Sequence, residues 1–280
     1  MGSYGVVAEP LFRLRVTSYR PVLPNWPAGL ALRIAVLADP HFNKPFMPLW
    51  RAEQIVERTN ALQPDLVVLL GDFDTSHRLV IEHYGHAEVA QVLAQLRAPL
   101  GVVAVMGNHD WWADERALAR GHGPLGIAEA LERAGIRCLE NEAVRLDWNG
   151  RPFWIAGLGD QYAFRLPGGG YKGVDDLPAT LAAIDDDAPV ILLAHEPDIF
   201  PSVPDRVSLT LSGHTHGGQI VLAGYAPVVP SRYGRRYRYG HIVENGRHLI
   251  VSGGLGCSIL PVRIGMPPEI VMIETGGGSA

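Results

Sequence analysis

Short apolar runs of strand length recur along the chain, and each ends in a cluster of polar residues. Arg33–Ala38 (RIAVLA) leads into Asp39-Pro40-His41, Leu66–Leu70 (LVVLL) into Gly71-Asp72-Phe73-Asp74, and Leu100–Met106 (LGVVAVM) into Gly107-Asn108-His109-Asp110. Continuous runs of this length suit strands covered on both faces. Between them, Leu49–Leu62 and Ala87–Leu96 carry apolar residues at helical spacing and are closed by Pro64 and Pro99. This alternation predicts a parallel sheet with right-handed crossovers and a site outside the carboxyl ends of its strands.

The flanking segments have a different texture. Leu11–Leu23 alternates well enough for an edge strand ended by Pro21 and Pro24, and Ile127–Ala134 reads as a helix closed by Gly135. From Ala143 onward, Val144–Trp148 and Phe153–Gly157 flank Asn149-Gly150, and Gly240–Val243 and Arg247–Val251 flank Asn245-Gly246. Asn-Gly between two strand-like runs is a strong hairpin signal, so a mostly antiparallel second sheet packed on the first is expected. Within it, Val190–Ala194 ends in His195, Val207–Leu211 ends in Ser212-Gly213-His214-Thr215-His216, and Leu260–Ile273 supplies the last strand. The expected organisation is a lead-in over residues 1–32, one domain over 33–275 and a flexible tail over 276–280.

Composition narrows the classes. At 280 residues and 47% apolar content the chain can bury a large core, and a formal charge of −5 gives no electrostatic footprint for a nucleic-acid backbone. Cys138 and Cys257 form neither a disulfide framework nor a thiolate metal site and read as core residues. No apolar run reaches the roughly 18 residues of a membrane span, and the N-terminal pattern is not that of a signal peptide. A cytoplasmic or membrane-peripheral location follows as the expectation, with any anchor preceding Tyr4.

Five strand ends thus present Asp39, His41, Asp72, Asn108, His109, His195, His214 and His216. The His-x-His and Asp-x-His pairs, if extended, would each point two ligands the same way. Carboxylate, amide oxygen and imidazole without thiolate suit Mn2+, Fe or Zn2+. Seven ligands, leaving His109 aside, exceed one tetrahedral ion and suit two ions sharing a carboxylate.

The series Asp39-x-His41, Gly71-Asp72, Gly107-Asn108-His109-Asp110, His195 and Gly213-His214-Thr215-His216 resembles the motifs of the calcineurin-like metallophosphoesterases, in order, from about residue 33 to 220. The resemblance implies a four-layer α/β/β/α sandwich of two mixed sheets flanked by helices, with the metal site at the strand carboxyl ends. It also implies one divalent metal on Asp39, His41 and His216, a second on Asn108, His195 and His214, and Asp72 bridging them. The implied ions are Mn2+, Fe2+/Fe3+ or Zn2+, and the implied reaction is in-line attack on phosphorus by a metal-bridging hydroxide. His109 would protonate the leaving oxygen; Asp110 either orients His109 or caps the following helix. Pro40, where the family more often has another residue, is a departure that could tune the first metal.

Arg232, Arg235 and Arg236, set among tyrosines in Tyr225–Gly240, and Arg263 further on, are candidates for holding an anionic substrate, with a solvated surface hairpin as the alternative. Glu9-Pro10, Gly217-Gly218-Gln219 and the Pro261–Ile270 segment are similar to a bacterial branch of membrane-anchored or exported phosphodiesterases and UDP-2,3-diacylglucosamine pyrophosphatases. A phosphodiester or pyrophosphate substrate, small or lipid-linked, is therefore expected, with membrane-surface association through a segment before Tyr4. A phosphomonoester or phosphoprotein phosphatase, a nuclease, and a non-catalytic metal-binding scaffold are the alternatives.

Overall fold

Successive residues of the central strands face different layers. In the strand Arg33–Leu37, Ile34 and Val36 pack toward a second sheet while Ala35 and Leu37 pack toward helices, and Leu66–Leu70 repeats the alternation with Val68 inward and Val67 and Leu69 outward. Both faces of these strands are covered, which explains their unbroken apolar sequences. The computed structural model describes residues 4–75 and 79–276.

The first sheet has the order Arg15–Tyr19, Glu269–Glu274, Arg33–Leu37, Leu66–Leu70, Val102–Val105, Arg137–Cys138. Its last four strands run parallel, and Glu269–Glu274 lies antiparallel to Arg33–Leu37. Helices Leu49–Ala61, His86–Leu93 and Gly126–Arg133 contribute to the core on its outer face. The first of these buries Ala52, Ile55, Val56 and Thr59, a single stripe at a spacing of three to four residues.

The second sheet has the order Gly240–Glu244, Arg247–Val251, Val207–Ser212, Val190–Leu193, Arg151–Gly157, Glu142–Trp148. Its inner face meets the first sheet through Phe153, Ile155, Ile191, Leu193, Leu209 and Leu211. Its outer face packs Trp154, Leu192 and Val251 against Leu177, Phe200 and Tyr237. The result is the four-layer sandwich of two mixed sheets.

The expectation of a mostly antiparallel second sheet is corrected. The Asn-Gly hairpins form, but only the two edge pairs are antiparallel; the three inner pairings are parallel. The inner strands are joined by segments that carry helical turns, Leu177–Ala182 and Pro197–Ser202, and a parallel pairing needs such a crossover. The N-terminal strand is likewise shorter than expected. Glu9–Phe12 forms a helical turn containing Pro10, and only Arg15–Tyr19 pairs, at the edge of the first sheet. Buried Glu9 there accepts the backbone N–H of Met266 at 2.9 Å, and Arg15 meets buried Glu269 at 2.9 Å.

Candidate metal centre

The parallel strands of both sheets end on the same side, and the predicted ligands meet between those ends. Asp39, His41, Asp72 and His216 form one group whose ligand atoms lie within 4.8 Å of one another, and Asp72, His195 and His214 form a second. Asp72 belongs to both. Its Oδ2 is 3.5 Å from His41 Nε2 and 3.3 Å from His195 Nε2. Asn108, the first residue of a short helix after Val102–Val105, is buried with neither amide atom hydrogen-bonded among the described residues.

The local geometry differs from the expected extended pairs. Asp39, His41, Asp72, His214 and His216 all have positive φ, between 47° and 64°. The left-handed region is uncommon outside glycine, and its cost of about 1–3 kcal/mol per residue concentrates at functional sites. Each strand therefore turns sharply as it ends, and both members of each x-spaced pair are aimed by the turn rather than by a pleat. Asp39 Oδ1 fixes one such turn by accepting the N–H of His214 at 2.8 Å. At Gly107 there is no room for a side chain: an added Cβ would stand 2.7 Å from both Asp72 N and His195 Cε1.

Hydrogen bonds decide which ring atoms face inward. His41 Nδ1 donates to the carbonyl of Asp74 at 2.9 Å, and His195 Nδ1 to the carbonyl of Leu70, so each presents Nε2 to the centre. Among the described residues, Asp39 Oδ2 and both ring nitrogens of His214 are buried without a hydrogen-bond partner. Buried polar atoms are rarely left so. Hard and borderline donors stranded around a shared carboxylate are the donor set that divalent cations fit.

The electrostatics agree with this reading. Burial pushes the pKa of His41 down to about 3, and burial together with the nearby His195 does the same for His214, so both rings are neutral and their lone pairs available. Burial pushes Asp39 up to about 7. Burial also opposes charge on His195, but the Asp72 carboxylate overrides it and holds that imidazole well above its ordinary value.

His109 lies at the edge of the cluster. Its ring meets His41 edge-on at 4.8 Å, its N–H donates to Asp72 Oδ1 at 2.8 Å, and its Nε2 stands 3.4 Å from Ser258 Oγ. Of the two roles weighed for Asp110, the structure displays the capping one. Its carboxylate accepts the backbone N–H groups of Asp72, Asp74 and Gly107 at 2.8–2.9 Å, which binds two ligand loops together.

The arginines divide. Arg232 lies over the ring of Tyr162, 5.8 Å from its centroid, and Tyr162 in turn meets His214 at 5.3 Å, so Arg232 borders the site. Arg235 stacks over Tyr225, and Arg236 is held by both oxygens of Glu244 at 2.8 Å. Arg263 is corrected as a substrate residue: it is fully buried and donates to the carbonyls of Gly253, Gly256 and Met266 and to His216 Nδ1. Sequence reasoning missed Ser258 and Trp112, whose ring contacts His109 at 4.9 Å. Trp112 was within reach, because a residue three positions after His109 on a helix shares its face.

Comparison with known proteins bears on the same motifs. Residues 32–218 match the family model described as calcineurin-like phosphoesterase. An uncharacterized metallophosphoesterase of Aquifex aeolicus is 31% identical over 94% of this chain and 92% of its own length. Phosphodiesterase YaeI of Escherichia coli is 32% identical over 86% of this chain and 81% of its own. A transmembrane protein with metallophosphoesterase domain from Danio rerio is 30% identical over 86% of this chain and 52% of its own. With two Asp/His groups sharing Asp72 and a family match spanning the strand-end motifs, this chain belongs to the calcineurin-like phosphoesterases, metal-dependent hydrolases built on a dimetal centre.

Proposed function

We propose that this protein hydrolyses phosphodiester or pyrophosphate bonds, with Asp39, His41, Asp72 and His216 holding one divalent cation and Asp72, Asn108, His195 and His214 the other. The observation that carries the proposal is Asp72 shared between two buried groups, around which Asp39 Oδ2, the Asn108 amide and both His214 nitrogens have no hydrogen-bond partner among the described residues. Two such cations, when bound, lower the pKa of a shared water and neutralise phosphoryl oxygens. Mn2+, Fe2+/Fe3+ and Zn2+ match the oxygen and imidazole donors.

The chain's own residues then do the rest. His41 and His195 are locked in orientation by the Asp74 and Leu70 carbonyls, and the Asp39 and Asp72 carboxylates tie the loops to each other through His214 N and His109 N. His109, buried but at the rim, is placed to protonate the departing oxygen. The named activity of the E. coli relative supports a diester over a monoester. Arg232, at the border of the site, is the arginine best placed to meet a second anionic group of a small or lipid-linked substrate.

No helix among the described residues is long and apolar enough to cross a membrane. The Danio rerio relative bears a transmembrane name, and we extend the proposal to a protein that works in the cytoplasm or at a membrane surface. The deciding experiment compares bis-p-nitrophenyl phosphate with p-nitrophenyl phosphate, using chelator-stripped protein and added Mn2+, Zn2+ or Fe2+. Metal-restored cleavage favouring the diester is expected; a preference for the monoester would overturn the diester reading.

A further inference from the structure

Two uncharged loops lie beside the metal ligands. The stretch from Ile220 to Pro230 (IVLAGYAPVVP) has no charged side chain, and neither has Leu255–Val262 (LGCSILPV). Runs of this composition usually enter a core, yet Leu222, Tyr225, Val228, Ile259 and Leu260 are each more than half exposed, Ile259 at 70%. The first loop follows His216, and Ser258 of the second stands 3.4 Å from His109 Nε2. The two are tied together. Val221 donates its N–H to the Ile264 carbonyl at 2.7 Å, and the Gln219 side chain accepts from Ser258 N at 2.8 Å and donates to the carbonyls of Ser258 and Leu260 at 3.1 and 2.7 Å.

The tips are built outward. Leu222 and Tyr225 exchange backbone hydrogen bonds at 2.9 Å around Ala223 and Gly224, both at positive φ, which makes a tight hairpin. Ile259 has a φ of 62°, a region that a β-branched residue enters only under strain. Burial does not repay that strain, because the side chain so displayed stands in water. Behind the tips the chain is basic: between Ile220 and Val243 it has four arginines and no carboxylate, although its formal charge is −5 overall. Arg236 is paired with Glu244 and Arg232 with Asp198. Arg235, stacked over Tyr225 at 4.7 Å, and Arg238, which donates to the Gly217 carbonyl at 2.7 Å, make no ion pair among the described residues.

We infer that these two loops dock the protein on an anionic lipid bilayer, with Leu222, Val228, Ile259 and Leu260 entering the acyl boundary and Arg235 and Arg238 meeting lipid phosphates at headgroup level. Exposed apolar side chains backed by arginine are the two elements that hold a protein at an interface it does not cross. The charge selects the occupant: a second copy of this chain would set the same basic collar against itself, whereas anionic lipid neutralises it. The negative balance of the remaining chain disfavours approach by any other face. The inference rests on the reading of a phosphoesterase that works at a membrane surface and adds which face docks: the mouth of the metal centre opens toward the bilayer.

The test is cosedimentation of the protein, Zn2+-loaded and chelator-stripped, with vesicles of equimolar phosphatidylglycerol and phosphatidylcholine or of phosphatidylcholine alone. Both forms of the protein should partition onto the anionic vesicles and less onto the neutral ones. Arg235→Gln should weaken anionic binding roughly fivefold, and Leu222→Asp and Ile259→Asp at least about tenfold each. Both apolar positions are exposed, and aspartate accepts a left-handed φ more readily than isoleucine, so the variants should bind Zn2+ as the parent does. Absent partitioning, or partitioning that both aspartate variants retain, overturns the docking surface. So does binding confined to the Zn2+-loaded form, which would place lipid phosphate on the metal centre, or a dimer abolished by Ile259→Asp, which would give the face to a second copy. Failure of the phosphoesterase reading shows itself separately, as no cleavage of bis-p-nitrophenyl phosphate with any metal while vesicle binding persists.

Discussion

The Nε2 atoms of His41 and His216 face each other at 3.1 Å. Arg263 can only donate, so His216 Nδ1 accepts from it at 3.2 Å and the His216 proton sits on Nε2. His41 spends its proton on the Asp74 carbonyl, so its Nε2 accepts. One hydrogen therefore lies where two ligand lone pairs would converge, and ligation through His216 Nε2 requires that ring to change tautomer and give up its Arg263 contact.

Metal binding also releases protons. Asp39, pushed up to about 7 by burial, and His195, held well above its ordinary value by Asp72 against the effect of burial, carry protons below neutral pH in the metal-free protein. His41 and His214, depressed to about 3, do not. Ligation requires both groups to be deprotonated, so affinity falls as pH drops, first as His195 takes up its proton and then further below about 7 as Asp39 does. Zn2+ titrations at pH 6 in buffers of different ionisation heat should show release of more than one proton; a heat independent of buffer would contradict this assignment.

His214→Ala removes one of the few second-group ligands. Metal analysis after dialysis should find about one ion per chain instead of two, and turnover should drop by more than roughly 100-fold, because loss of even an outer partner costs about 10–100-fold. An unchanged rate would remove the two-ion reading.

His109→Ala should retain both ions, since none of the ligand groups contains it. Its turnover should fall by roughly 10²–10⁴, most for alcohols that leave poorly, because those need a proton most. Equal losses across leaving groups would deny His109 the acid role.

Arg263→Met tests the buried guanidinium. Three carbonyls would lose their donor, at about 1–3 kcal/mol for each group left unsatisfied, so urea unfolding of the chelated protein should show a loss of roughly 3 kcal/mol or more. A change under about 1 kcal/mol would mean that water or neighbours replace the side chain.

Much of this was legible in the sequence because it is local. The unbroken runs RIAVLA and LVVLL announce strands covered on both faces, and ligand-type residues immediately after them announce a site at the strand ends. Asn149-Gly150 and Asn245-Gly246 announce hairpins. What was not legible is long-range. Nothing around Val190–Leu193 says whether its neighbours run with it or against it, since pairing direction depends on how the intervening segment crosses the sheet. Arg263 looks in sequence like any phosphate-binding arginine; only the fold reveals that its donors are consumed by Gly253, Gly256, Met266 and His216. The left-handed turns at Asp39 and His214 replace the extended pairs that the i, i+2 spacing suggests, because each strand has already ended where its ligands begin.

The division of ligands between the sheets has a mechanical side. Asp39, His41, Asp72 and Asn108 follow strands of the first sheet, whereas His195, His214 and His216 follow strands of the second. Ions held among them are rivets through two plates. Elsewhere the plates adhere by apolar contact, which resists separation but tolerates slip; at the riveted end neither is permitted. Cations that bind only the folded state add about 4 kcal/mol at a thousand times their dissociation constant. Chelation would therefore soften one end of the sandwich first, and amide exchange should quicken at the strand ends near Leu70, Val105 and Leu193 while the far end stays closed.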